Sequence, residues 1–476
     1  MPYPTPAMLI DGEWICGGGR AVQDVVNPAT GDVIGQVPLA TPEDLDRALA
    51  AAERAWPVWR ALQPAQRGRI LHRAAELIRE RSEEIARIAT QEMGKTLHET
   101  RIEAAIAAEI FTWYAEEGRR AYGRVLPQRT PGVRMTVVKE PVGPVAGFAP
   151  WNFPIGNPSR KLGAALGAGC SCIVKPAEES PGSAMLVAQA LLDAGVPAGA
   201  MNIVFGVPAQ VSAQLLRSPV IRAMSFTGST VVGKQLAALC AQGMKRSTME
   251  LGGHAPVLVF DDVDLDAVLD LAVAAKYRNA GQVCVSPTRF YVQASIHERF
   301  VAGFAERAAR IPVGNGLDEA HRMGPLAHAR RLPAVEALVA DALKQGAHLQ
   351  TGGERIAGPG LFYAPTVLSD VPETARIMNE EPFGPIALIN KFRDLDDAIT
   401  AANRLPYGLA AYAFTRDSRR VNLLGERIEA GMVGINSFTI AVPEAPFGGV
   451  KESGHGSEEG IEGLEACLVT KFITES

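Results

Sequence analysis

The chain is short of the features that tie a protein to a membrane, a nucleic acid or an oxidising compartment. Cysteine occurs six times in 476 residues (Cys16, Cys170, Cys172, Cys240, Cys284, Cys467) without regular spacing, so no disulfide framework is expected and a reducing cytoplasm is. Cys170-Ser171-Cys172 is too tight for an ordinary zinc half-site and has no Cys/His pair to complete it; a core position is expected, and no metal. No apolar run approaches the roughly 18 residues that cross a bilayer, and the first residues lack a basic region followed by an apolar stretch. Lys plus Arg (47) and Asp plus Glu (52) are interleaved, which leaves neither a basic stripe for nucleic acid nor an acidic tail.

What is present is a large apolar fraction, 47%, enough for two or three domains. Turn signals between short apolar runs over residues 9–40 describe small antiparallel strands. Thr41-Pro42-Glu43-Asp44 then opens a helix with a cap, an early proline and early acids. Helical patterns continue to Gly118, with breaks expected at Trp56-Pro57, Gln63-Pro64 and Met93-Gly94. Ile70, Leu77, Ile78, Ile85 and Ile88 recur near helical spacing in one amphipathic run. After a strand at 134–140 the texture changes. Apolar runs at 142–148, 172–174, 201–205, 223–226 and 248–251 alternate with helical segments, which predicts a parallel sheet covered on both faces, with ligand beyond the strands' carboxyl ends. No Gly-x-Gly-x-x-Gly occurs there, so any dinucleotide would bind without the usual tight turn. A second alternating unit follows Pro256. An apolar strand at 468–473 closes the chain, where an open edge would be a liability.

Chemistry concentrates in five stretches. The sequence around Cys284, Gly281-Gln282-Val283-Cys284, places a thiol between a helical run and a strand. A free thiol is only a few per cent ionised at neutral pH, so a nucleophilic role needs help from neighbours. Pro150-Trp151-Asn152-Phe153-Pro154 fixes an amide just past a strand, and Lys175-Pro176-Ala177-Glu178 sets a cation and a carboxylate past the next. Phe226-Thr227-Gly228-Ser229 leads into a helix whose amides can face a phosphate. Glu250-Leu251-Gly252-Gly253 ends a strand with a carboxylate beside two glycines.

Taken singly, each has a bland structural explanation; in this order, with Glu381-Pro382-Phe383-Gly384-Pro385, they resemble the aldehyde dehydrogenase superfamily along essentially the whole chain. The resemblance implies an α/β fold of two doubly wound domains, an atypical Rossmann cofactor domain and a catalytic domain, with a small β oligomerisation element. The expected boundaries are 1–121 and 142–251 for NAD binding, 252–443 for catalysis, and 122–141 with 455–476 for assembly into a homodimer or homotetramer. It further implies NAD, or NADP, as cofactor, with Cys284 as nucleophile, Asn152 holding the oxyanion and Glu250 activating water. Lys175 and Glu178 would meet the adenosine ribose, Ser229 the pyrophosphate and Glu381 the nicotinamide ribose, with Phe383 beside the ring and Trp151 and Gly228 also among the cofactor-binding residues. A carboxylate at Glu178 should repel a 2′-phosphate and favour NAD.

Within the family, the chain is most similar to succinate-semialdehyde and α-ketoglutarate-semialdehyde dehydrogenases. Arg160 and Arg278 match arginines that bind the substrate's distal carboxylate there, and a simple aldehyde would leave both charges uncompensated. Two departures stand out: Ala441-Val442 replaces a segment with a carboxylate-binding serine, and Ser286 stands where a second cysteine would follow the nucleophile. Other aldehydes, a coenzyme A-acylating enzyme and a non-catalytic relative are the alternatives; Glu250 disfavours acyl transfer, which needs no water-activating base.

Overall fold

Short, buried, apolar runs separated by helices can satisfy their backbone only by pairing side by side, and after residue 141 they do so. In the computed structural model, which describes residues 2–476, five parallel strands lie in the order Met201–Ile203, Cys172–Lys175, Val145–Phe148, Ala223–Thr227, Arg246–Glu250. The chain winds outward from Val145–Phe148 to one side, then crosses to the other. The order therefore reverses between Val145–Phe148 and Ala223–Thr227, where a doubly wound sheet opens a ligand crevice. Antiparallel edges close the sheet: Met8–Ile10 beside Met201–Ile203, and Gly454–His455 beside Arg246–Glu250.

A second sheet carries six parallel strands in the order Thr366–Ser369, Ile386–Phe392, Pro287–Gln293, Ala255–Val259, Ala410–Phe414, Met432–Ile435, with His348–Thr351 antiparallel at one edge. Each sheet has its own buried hydrophobic cluster. Among the described residues no helix is long and apolar enough to cross a membrane, and no cluster of His, Cys, Asp or Glu is arranged to hold a metal. Cys170 and Cys172 are core residues.

Two local expectations need correction. Helix Pro42–Ala61 is capped as expected, Thr41 and Asp44 each accepting the other's backbone N–H, yet it runs through Pro57 instead of breaking there. Pro57 faces solvent, so water can serve the carbonyl it leaves unbonded. Trp59 holds the last turn: it is buried, and its Nε1 donates to Leu166 O at 3.0 Å. The amphipathic run thought continuous is two helices, Pro64–Glu80 and Ser82–Met93, broken at Arg81.

The terminal strand Leu468–Glu475 pairs antiparallel with Arg134–Pro141 of the same chain, from Leu468 opposite Pro141 to Glu475 opposite Arg134. Arg124–Leu126 covers the other side. The Val137-Val138 strand is thus central in a three-stranded sheet. The open edge beyond the terminal strand carries exposed Phe472 and Ile473.

Candidate active site

Cys284 is placed by a backbone that few sequences tolerate. Helix Leu265–Tyr277, capped by Asp264, gives way to three consecutive left-handed residues, Asn279, Ala280 and Gly281, at φ 51°, 51° and 72°. Non-glycine residues adopt this region at a cost that surrounding contacts must offset. Gly281 has no freedom to be anything else, because a Cβ there would overlap the Gly384 carbonyl. The chain then passes Cys284 and enters strand Pro287–Gln293.

Side-chain amides hold this turn against the first sheet. Asn279 Nδ2 donates to Asn152 O and Gln282 O, both at 3.1 Å, and Asn152 Nδ2 donates to Gln282 O at 3.2 Å. Gln282 Oε1 accepts from Ala327 N at 2.9 Å, and Glu99 Oε1 accepts from Asn279 N at 2.6 Å. The loop leaving Val145–Phe148 in one sheet is thereby stitched to the cysteine loop of the other. All these amides are buried, so each bond also avoids an unpaired polar group.

Cys284 opens onto a cavity of 430 Å³ whose wall includes Trp151, Asn152, Gly228, Ser229, Glu250, Glu381, Phe383, Arg160 and Arg278. Residues distant in sequence converge there because the carboxyl ends of the first sheet's strands, at Phe148, Thr227 and Glu250, meet the amino ends of the second sheet's strands, at Pro287 and Ile386. Lys175 and Glu178 lie outside that wall. They form a buried ion pair at 2.6 Å past the Cys172–Lys175 strand, and Glu178 Oε1 also accepts from Gly206 N at 2.9 Å. The Glu178 charge that should repel a 2′-phosphate is met by Lys175. Ser229 Oγ caps helix Thr230–Gln242 by accepting from Val232 N.

Burial dominates the electrostatics. It pushes the Cys284 thiol up to about 12, with Glu381 and Glu250 adding and Arg160 opposing. It also drives Glu250 well above the carboxylate range, helped by Glu458. Both Glu250 oxygens are buried without a hydrogen-bond partner. A carboxylate whose hold on a proton is raised in this way is a stronger base than one in water. Glu381, raised by burial to about 7, accepts from Gly253 N at 2.9 Å with one oxygen only.

The two arginines differ. Arg160 is not uncompensated: its Nε donates to Glu459 Oε1 at 2.9 Å and its guanidinium lies 4.5 Å from the Phe447 ring. Its neighbour Lys161 bonds Glu458 Oε1 and Thr227 Oγ1, both at 2.7 Å. Arg278 is exposed, has no carboxylate partner, and faces the Phe153 ring at 5.8 Å. Glu458 and Glu459 are the residues the sequence pattern missed. The signal for them was indirect: adjacent cations on a helix that proves buried, Gly156–Ala168, require carboxylates from elsewhere in the chain.

The sequence pattern of the aldehyde dehydrogenase family matches residues 14–473. The chain belongs to the aldehyde dehydrogenase family. It is 47% identical over 471 residues to a 4-(hydroxymethyl)benzenesulfonate dehydrogenase of Comamonas testosteroni, covering 99% of this chain and 98% of that one. It is 43% identical to the NADP(+) succinate-semialdehyde dehydrogenase of Escherichia coli strain K12, covering 98% and 96%. Among solved structures, the succinate-semialdehyde dehydrogenase of Burkholderia pseudomallei superposes with a TM-score of 0.96 at 42% identity, covering 99% and 98%. The two doubly wound sheets are thus those of an aldehyde dehydrogenase. In this aldehyde dehydrogenase, Gly281→Ala should remove at least about 2 kcal/mol of stability by forcing the turn off Gly384, and should abolish turnover. Thermal unfolding and iodoacetamide labelling of Cys284 check this; unchanged midpoint and labelling rate would show that the turn tolerates a side chain.

Proposed function

We propose that this aldehyde dehydrogenase is a cytoplasmic homo-oligomer that oxidises, with NAD or NADP, an aldehyde bearing an anionic group at its far end. The observation that carries the substrate class is Arg278, a guanidinium without a carboxylate partner in the wall of the Cys284 cavity. Such a charge is best met by a planar or tetrahedral oxyanion on the substrate. Succinic and α-ketoglutaric semialdehydes satisfy it. A second reading, an aromatic aldehyde carrying a sulfonate, is favoured by the apolar part of the wall, Ile102, Ile106, Ile110, Phe153 and Phe447, and by the benzenesulfonate relative.

The residues present fit a nicotinamide dinucleotide. Trp151 and Phe383 meet edge to face, ring centroids 5.5 Å apart, as one corner of the cavity, which suits a flat ring. Gly252 leaves open a space where a Cβ would lie 2.9 Å from Glu381 Oε2, so that oxygen is free to accept from a ribose hydroxyl. Lys175 and Glu178 would hold the second ribose as a pair without net charge, so NAD is preferred through a hydroxyl accepted by Glu178 rather than by repulsion of NADP. Gly228, Ser229 and the N-terminal amides of Thr230–Gln242 would meet the pyrophosphate. Bound there, the dinucleotide would supply the acceptor for the hydride lost by the aldehyde carbon.

The chain's own groups do the rest. Cys284 Sγ gives its proton to solvent water in the open cavity and bonds the aldehyde carbon, whose oxygen takes the electron pair of the C=O bond, forming a thiohemiacetal. Asn152 Nδ2 has a second hydrogen beyond its bond to Gln282, and the Cys284 N–H has no protein acceptor; these two donors hold the oxyanion, each worth roughly 3 kcal/mol in the transition state. Once hydride has left, Cys284 carries a thioester. Glu250 takes a proton from water, the hydroxide adds to the carbonyl, the C–S bond breaks and the acid departs. We assign cofactor binding to residues 1–121 and 142–251, catalysis to 252–443, and assembly to 122–141 and 455–476, where exposed Phe472 and Ile473 flank an open edge.

Three outcomes are expected. Cys284→Ala should show no NADH production at 340 nm, while Glu250→Gln should release one equivalent and stall at the thioester; sustained turnover by either would remove that residue from the mechanism. Wild-type kcat/KM should be at least about 100-fold higher for succinic semialdehyde than for butanal, or for 4-formylbenzenesulfonate than for benzaldehyde, and Arg278→Ala should erase most of that ratio. Equal values for charged and uncharged twins in the wild type would defeat the substrate assignment and leave the dehydrogenase assignment intact. Light scattering at micromolar concentration should give a dimer or tetramer that Phe472→Lys/Ile473→Lys dissociates; a monomeric wild type would end the assembly proposal.

A further inference from the structure

Beside the cavity, Arg160 and Lys161 face Glu458 and Glu459, two cations against two carboxylates, all but Arg160 almost wholly buried. Glu459 is held there at a structural cost. Its backbone is at φ 58°, ψ −175°, a region populated essentially by glycine, and its side chain is 1% exposed with Oε2 unpartnered. Tyr114 secures the turn, its hydroxyl accepting from Glu459 N at 3.0 Å, and Gly460 N donates to Pro443 O at 2.9 Å. The carboxylate bonds Arg160 only through Nε. The terminal guanidinium nitrogens have no protein acceptor, and Arg160 lines the cavity. An anion entering there meets N–H donors whose charge is already balanced.

We propose that Glu459 is a specificity-determining positioning residue: provided the Cys284 cavity takes an anion-bearing aldehyde, as proposed above, Glu459 cancels the charge of Arg160 while aiming its free N–H donors, leaving Arg278, beside Phe153, without a carboxylate to balance it. The pocket then matches a substrate with a single negative charge at its far end, carboxylate or sulfonate. A free Arg160 would hold that end more tightly, and would also draw in dianions such as a phosphate monoester. Glu459 sets this ceiling on anion affinity.

The test compares charged and uncharged twins, 4-formylbenzenesulfonate with benzaldehyde and succinic semialdehyde with butanal, within each variant. Their kcat/KM ratio cancels any loss of folded protein or of thiol reactivity. Glu459→Gln keeps an acceptor for Arg160 Nε and removes the charge, so the ratio should rise on the order of tenfold, through KM of the charged twin. A ratio that falls would mean that the carboxylate only orients Arg160, and an unchanged ratio that Arg160 does not sense the substrate; either overturns the proposal. Should Glu459→Gln fail to fold, Arg160→Gln serves. It leaves the Glu459 charge unbalanced and should lower the ratio on the order of tenfold, no change again overturning the inference. Arg278→Ala separates the two levels: a ratio that survives it defeats the role given to Arg278, while a rise in Glu459→Gln would still place Glu459 beside the anion.

Discussion

The structure depends on a seam of buried amides between its two sheets. Asn152 belongs to the loop that leaves one parallel sheet, and Asn279 and Gln282 to the turn that precedes Cys284 in the other. Their mutual bonds fix the distance between an amide donor and a thiol contributed by different hydrophobic cores. Neither loop could hold that geometry alone, since the cysteine turn contains three consecutive left-handed residues. The strain is tolerated because backbone contact at Gly281 and the amide bonds leave the turn no relaxed alternative.

Desolvation is the second constraint, and it acts on every titratable group near the thiol. Cys284, Glu250 and Glu381 are all pushed up by burial before any neighbour contributes. Their neighbours then decide how far: the Gly253 N–H, then Arg331 and Lys276, draw Glu381 back, Lys161 and then Arg160 oppose the rise at Glu250, and Arg160 opposes it at Cys284. The groups that take part in the chemistry are therefore poorly solvated at rest, while Arg278 and Arg331 stand in the same wall without a carboxylate partner. A site of this kind favours proton transfer at the moment of reaction, because no strong solvation has to be undone first. It also makes each uncompensated charge informative about substrate.

Much of this was legible in the chain. Alternating apolar runs and helices point to a covered parallel sheet, and the resemblance to the aldehyde dehydrogenases implied a second one; the Asn, Ser and Glu stretches fall at strand ends because those runs end there, while the Cys stretch precedes a strand. Capping at Thr41 and the stop at Met93-Gly94 are local and equally readable. Helix Pro42–Ala61, by contrast, survives Pro57 only because Trp59 finds Leu166 more than a hundred residues away. The terminal strand finds its partner in the same chain for a similar reason: pairing across such a separation leaves no trace in either segment.

What the sequence determined by itself was the chemistry available: one thiol set between helix and strand, a carboxylate at a strand end, a rigid amide, and two arginines near them. Composition, period and spacing are local properties: they suffice for a covered parallel sheet, while the order of the motifs, through the family it resembles, picked out the reactive groups. The tertiary structure alone decided how those groups are charged and which of them are free. Glu459 lies 299 positions from Arg160 and neutralises it, while Arg278, closer to the nucleophile in sequence, is left without a carboxylate. Ionisation and pairing depend on burial and on neighbours brought from distant segments, and those are set by packing.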